Sequence, residues 1–104
     1  MISLVADKER ELRATCERFG VRRLELFGSA ATGDEFDPEH SDIDFLVEFQ
    51  PEQNLGPWLQ HFFEFRRTLE QLFGHSVDLV MPSAMKNAHF IREVNRTRRP
   101  VYAA

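Results

Sequence analysis

Three aspartates are the side chains best placed to do chemistry: Asp42 and Asp44, separated by one residue, and the more distant Asp78. Between Asp42 and Phe49, the apolar residues Ile43, Phe45, Val47 and Phe49 alternate with Asp42, Asp44, Leu46 and Glu48. This is the period of a β-strand with one apolar face. Both carboxylates then project side by side from the opposite face. Like charges that close penalise ionisation unless a cation neutralises them, and hard oxygen donors of this kind suit Mg²⁺ or Mn²⁺. A solvated strand edge is the competing reading of a bare Asp-x-Asp. Asp78 interrupts the apolar run Val77-Asp78-Leu79-Val80, where burial without a partner is costly. If the two strands are neighbours, Asp78 completes a triad, sharing the cation or accepting the proton of an attacking hydroxyl. Otherwise it reaches solvent or a nearby arginine.

Gly28-Ser29 ends the apolar stretch that precedes the acidic region. A glycine followed by a small hydroxyl residue lets backbone N–H groups approach an anion closely, and Ser29 adds a donor of its own. A strand-end Gly-Ser that grips phosphate, followed by a carboxylate pair that holds a divalent ion, would assemble a metal-nucleotide site. An ordinary turn is the plainer alternative. Gly28 and Gly33 have the spacing of the two glycines of a P-loop, but Asp34-Glu35 follows where Lys and then Ser or Thr are needed, and acids there repel phosphate. His40, His61, His75 and His89 are too scattered for a zinc motif. His61 and His89 are expected on helix surfaces, and His40 could only be auxiliary. Cys16 lies on an apolar helical stripe and is expected in the core.

The elements that must position these groups are readable in outline. Leu12, Cys16 and Phe19 fall on one helical face between Asp7 and Phe19, and Gly20 stands at the expected end. Val21–Phe27 predicts a strand, Thr32–Ser41 a loop and Asp42–Phe49 a second strand. Pro57 predicts the first turn of a helix running to about Phe73 and ended by Gly74. Val77–Met81 predicts a third strand. Pro82-Ser83 opens a last helix with Ala84, Ala88, Ile91 and Val94 inward, and Val101-Tyr102 a short final strand. Helices between most strands make the fold α/β or α+β, a small mixed sheet flanked by helices, with strand order open.

The chain has 104 residues, 42% hydrophobic and 29% charged, with a net charge of −4. These values predict one domain over residues 1–104 and make nucleic-acid binding through overall charge a poor expectation. The basic residues Arg92, Arg96, Arg98 and Arg99 are read as a solvated or partner-facing surface. Residues 34–56 carry eight acids and no basic residue, so this segment either solvates its charge in a loop or binds cations. A single cysteine and no signal-peptide pattern predict a cytoplasmic location, and no apolar run is long enough to span a membrane. On the helix from Pro57 to Phe73, Trp58, Leu59, Phe62, Phe63, Phe65, Leu69, Leu72 and Phe73 cover about half the circumference, wider than a one-sided stripe. That excess suits either a partner interface or a thick local core.

Taken jointly, Leu26-Phe27-Gly28-Ser29, the acidic loop, Ser41-Asp42-Ile43-Asp44-Phe45-Leu46-Val47 and Val77-Asp78-Leu79-Val80 resemble the minimal nucleotidyltransferases of the DNA polymerase β superfamily. The resemblance covers nearly the whole chain and implies a polymerase β-like palm. It implies that Gly28 and Ser29 bind the triphosphate, that Asp42 and Asp44 ligate Mg²⁺ (or Mn²⁺), and that Asp78 is the third catalytic and metal-facing carboxylate. Where many relatives carry Gly-Ser-Arg-Ala-Arg-Gly, this chain has Ala30 and Thr32 in place of the arginines, and its Gly-Ser to Asp-x-Asp spacer is twelve residues. Proteins of this kind are similar to antitoxins of two-gene systems whose partner is a HEPN ribonuclease toxin. The implied activity is Mg²⁺-dependent transfer of AMP from ATP to a tyrosine hydroxyl of that toxin, within a hetero-oligomer. Neutralisation of the toxin by binding alone and nucleotidyl transfer to a small molecule are the alternatives.

Overall fold

The computed structural model describes residues 1–104, and its elements follow closely from local sequence. A single turn, α1 (Ser3–Ala6), leads into α2 (Glu9–Arg18), whose inward Leu12 and Cys16 are buried. Burial pushes the Cys16 thiol up to about 12, with Glu17 adding to the effect, so this cysteine is core, as its place on the stripe implies. Gly20 takes φ +69° just past the helix end and turns the chain into β1 (Val21–Phe27). β2 (Ile43–Phe49), α4 (Gln60–Phe73), β3 (Val77–Val80), α5 (Ala88–Thr97) and β4 (Arg99–Ala103) follow.

Several features depart from the sequence expectations, among them Ala84 and Ala88, which are exposed and not inward. A one-turn helix, α3 (Ser29–Thr32), stands where only a turn was expected. The helix read from Pro57 starts at Gln60 instead, because Trp58 and Leu59 adopt left-handed φ values of 56° and 55° and set Pro57–Leu59 apart as a 3-10 turn. The entry is tethered: His61 N–H donates to the Leu55 carbonyl at 2.9 Å, and His61 Nε2 meets the Phe19 carbonyl at 2.6 Å. His61 is therefore a half-buried link between α4 and the end of α2, not a surface residue. Finally, the helix read from Pro82 is interrupted. Pro82–Ala84 is a separate 3-10 turn, and Asn87 starts α5 by accepting the Phe90 N–H on its side-chain oxygen at 3.1 Å.

The sheet order is β3-β2-β1-β4, with β1 antiparallel to both β2 and β4 and β2 parallel to β3. On one face Leu24, Leu26, Ile43, Phe45 and Val47 pack with Leu12, Cys16, Phe65 and Leu69 into the main core. The other face carries a much smaller cluster, Phe27, Leu46 and Val94, where α5 crosses the sheet. The apolar excess of α4 divides: Phe62, Phe65, Leu69 and Phe73 are core, while Leu59, Phe63 and Trp58, the last 94% exposed, face outward. No helix is long and apolar enough to cross a membrane.

On the thinner face a polar contact does the work of a core. Glu25, only 4% exposed, accepts from Arg98 Nε at 2.7 Å and Nη2 at 2.9 Å, with Arg23 at 3.4 Å. The Arg98 hydrogen bonds hold the Glu25 carboxyl below its ordinary range against the opposing effect of burial. Arg98→Ala leaves that buried carboxylate only the longer Arg23 contact, and should cost about 2–3 kcal/mol and lower Tm by roughly 10 °C. Because the folded pKa of Glu25 is depressed, the stabilisation is present above its unfolded pKa and is lost as pH falls through the folded value. Thermal denaturation of both proteins from pH 8 to pH 3 should show the difference constant near neutrality and shrinking in acid.

Candidate active site

Asp44 is the second residue of β2 and Asp78 the second of β3, and the parallel register places them directly opposite each other. Neighbouring strands lie about 4.8 Å apart, so the two carboxylates share one edge of the α5-side face. Asp42, exposed, immediately precedes β2, and Asp44 is half-buried while Asp78 is exposed. The start of β2 is anchored from the helical side: His75 Nε2 meets the Ser41 carbonyl at 2.6 Å, and Ile43 N–H donates to the Ser76 carbonyl at 2.9 Å. Burial first, then the negative charges of Asp78 and Asp42, push the Asp44 carboxyl up to about 7. The three acids singled out in the sequence are thus electrostatically coupled in the fold.

Gly28 closes the other side. The register pairs Phe27 with Asp44, so the bend after β1 lies against that carboxylate. Gly28 has φ +71°, and a Cβ built on it would sit 2.6 Å from Asp44 Oδ2. Only glycine supplies both the backbone conformation and the space. Its N–H does not point to open solvent: it donates to Thr97 Oγ1 at 2.9 Å. Ala31 and Thr32 N–H groups donate to the Gly28 carbonyl, which leaves Ser29 and Ala30 as the first amides of α3, without intrahelical partners. Beside this turn lies a cleft of about 160 Å³ lined by Gly28, Ser29, Thr32, Asp34, Glu35, Glu93, Arg96 and Thr97, none of them hydrophobic.

These residues suit a hard divalent cation in charge and donor type. Asp44 carries an electrostatic penalty that a cation beside it and its two acidic neighbours would remove. The side chains do not close on a common point, and no three His, Cys, Asp or Glu groups form a closed ligand cluster. The other acids of the dense segment are elsewhere employed or solvated. Asp37 accepts the Glu39 N–H at 2.9 Å and pairs with His40 at 2.7 Å, which holds its carboxyl below the usual range.

Thr97 is the positioning residue that sequence reasoning missed. It is 5% exposed, and its hydroxyl donates to the Glu93 carbonyl at 3.0 Å while accepting from Gly28. The one signal available was a hydroxyl residue three positions after Val94, on the inward face of an amphipathic helix.

A Gly-Ser bend facing aspartates on adjacent strands of a mixed sheet defines the class of a phosphate-handling transferase. The family model for the nucleotidyltransferase domain matches residues 9–102. Protein adenylyltransferase MntA of Thermococcus cleftensis is 42% identical over 85 residues, covering 82% of this chain and 77% of that protein. A solved structure assigned to the minimal nucleotidyltransferases superposes with a TM-score of 0.71 at 28% identity, covering 92% of this chain and 91% of the other. In a complex of a tri-AMPylated Shewanella oneidensis HEPN toxin with MNT antitoxin, the matching chain has a TM-score of 0.63 at 17% identity, with 95% and 72% coverage. The chain belongs to the nucleotidyltransferase family, and its minimal architecture is that of the MntA-type members.

Two outcomes follow from the geometry. The folded pKa of Asp44 is raised, so its ionisation disfavours the fold increasingly between pH 4 and its value of about 7. In metal-free buffer Asp44→Asn should therefore raise Tm by several degrees at pH 8, and the gain should vanish as pH falls toward 4. Gly28→Ala must displace Asp44 and strain a left-handed backbone, costing about 1–3 kcal/mol. Differential scanning calorimetry should register a lower Tm at every pH.

Proposed function

We propose that this chain is a single-domain, cytoplasmic, Mg²⁺-dependent protein adenylyltransferase that transfers AMP from ATP to a tyrosine hydroxyl of a HEPN toxin and thereby acts as its antitoxin. The observation that carries the reading is the half-buried Asp44, flanked by Asp78 on the neighbouring strand and backed against a glycine that has no room for a side chain. The MntA relative, named for protein adenylyl transfer, and the AMPylated-toxin complex support the acceptor class and the hetero-oligomeric partner.

In this reading Asp42 and Asp44 would hold the cation, helped by Asp78 on the neighbouring strand. A divalent cation bound there supplies Lewis-acid polarisation of the α-phosphate and offsets the charge that develops on pyrophosphate. The chain's own groups do the rest. Ser29, with its hydroxyl and its amide, binds phosphate oxygens, and the Gly28 bend lets the nucleotide approach Asp44 without a steric barrier. Asp78, exposed beside Asp44, accepts the proton of the acceptor hydroxyl as the oxygen–phosphorus bond forms and the bond to pyrophosphate breaks.

The exposed Trp58, Leu59 and Phe63 favour a second reading, in which contact alone masks the toxin. The two separate cleanly. Co-expressed with its partner, the parent chain should add one or more adenylyl groups to the partner's intact mass. Asp42→Asn with Asp44→Asn should lower the modification rate by at least ~10²-fold while leaving complex formation unchanged. Protection from toxicity that survives in this variant, with no mass gain, would establish masking as sufficient.

A further inference from the structure

A nucleoside triphosphate brings several negative charges to the Gly28–Ser29 turn, and that turn has no cation of its own. Ala30 and Ala31 are fully buried in the core, and Thr32 is neutral. The cleft beside it is bordered by Asp34, Glu35 and Glu93, which would repel a polyanion. One positively charged side chain lines the same cleft: Arg96, from the last turn of α5. We propose that Arg96 is the phosphate-gripping residue of this site, closing over the triphosphate from α5. The inference rests on the transferase reading and adds to it a binding residue 67 positions beyond Ser29.

The placement of Arg96 is fixed by its neighbour. Thr97 is buried and joined to the Gly28 N–H at 2.9 Å, so the backbone of the last helical turn is locked to the bend. The Arg96 side chain itself is free to move. Its present partner is Glu93, one turn back on α5, and the two side chains are 65% and 52% exposed. An exposed pair of that kind adds little to stability, so exchanging Glu93 for phosphate costs little. The guanidinium fork matches two phosphate oxygens at once, a stronger contact than a point charge makes. Arg98, the next arginine on the chain, is committed to the buried Glu25 and cannot serve instead.

Isothermal titration of the full chain with Mg·ATP, and separately with inorganic tripolyphosphate in magnesium buffer, tests the assignment. Arg96→Ala should weaken both ligands by roughly tenfold while Tm stays within a degree or two of the parent, since the side chain is exposed. Glu93→Gln, which releases the arginine and removes a cleft acid, should tighten both. Thr32→Arg added to Arg96→Ala should restore much of the loss, because position 32 lines the same cleft. Parental affinity of R96A for both ligands would overturn the assignment and leave the transferase reading intact. A defect for Mg·ATP without one for tripolyphosphate would also overturn it, because the arginine would then serve the nucleoside. Failure of the parent chain to bind Mg·ATP would overturn both.

Discussion

The half-buried carboxylate of Asp44 is the constraint to which the rest of the site conforms. An acid on the sheet, opposite another acid and partly removed from water, is unfavourable unless something compensates it. The fold does not compensate it with an arginine, as it does Glu25. It leaves the charge unneutralised, removes the Cβ that would crowd it at Gly28, and keeps the face above it open. A protein selected only for stability would neutralise such a position. The uncompensated acid is what a site for a transient cation requires.

The two faces of the sheet are covered unequally. Most of the core residues lie on one side, where Phe45, Val47 and Leu26 are fully buried beneath α2 and α4. On the opposite face α5 covers only part of the sheet and buries just Phe27, Leu46 and Val94, and Asp78 stays exposed with Asp44 half-buried. Three apolar residues are a weak anchor for a helix. The bidentate Arg98–Glu25 pair and the Thr97–Gly28 hydrogen bond supply the missing fixation. Both are directional, so they set the position of α5 relative to the bend more tightly than apolar contact would.

These relations also explain what could be read from the chain beforehand. Strand periodicity located β1 at its observed limits and β2 within one residue, and it placed Asp42 and Asp44 on one edge, since alternation is a local property. The adjacency of Asp44 and Asp78 was legible as a condition, the pairing of two strands, that the parallel β2–β3 register meets, although the three carboxylates do not close on a common point. The resemblance to minimal nucleotidyltransferases pointed to the same residues and agrees with the family match. Strand order, the Glu25–Arg98 pair and the Thr97–Gly28 bond were not legible. Their partners stand 73 and 69 residues apart, and no local pattern marks them. Local competition hid two helix starts as well: Asn87 caps α5 after the proline that suggested an earlier beginning, and the left-handed Trp58 and Leu59 delay α4.

The dense acidic segment divides between a solvated loop and the start of a strand. Asp37 organises its own turn through Glu39 and His40, and Asp34, Glu35 and Glu39 stay solvated. Past Ser41 the chain enters the sheet, and the same residue type becomes part of a site completed by Asp78 from another strand. A triphosphate approaching this end of the molecule meets Asp42, Asp44, Asp78 and the cleft acids together. Coulomb repulsion at such separations is only partly screened at physiological ionic strength. On the proposed reading, the nucleotide therefore enters as its cation complex, not as a free anion. The acids that would hold the metal then also exclude the uncomplexed nucleotide, so selection for the reactive species is built into the charge of the site.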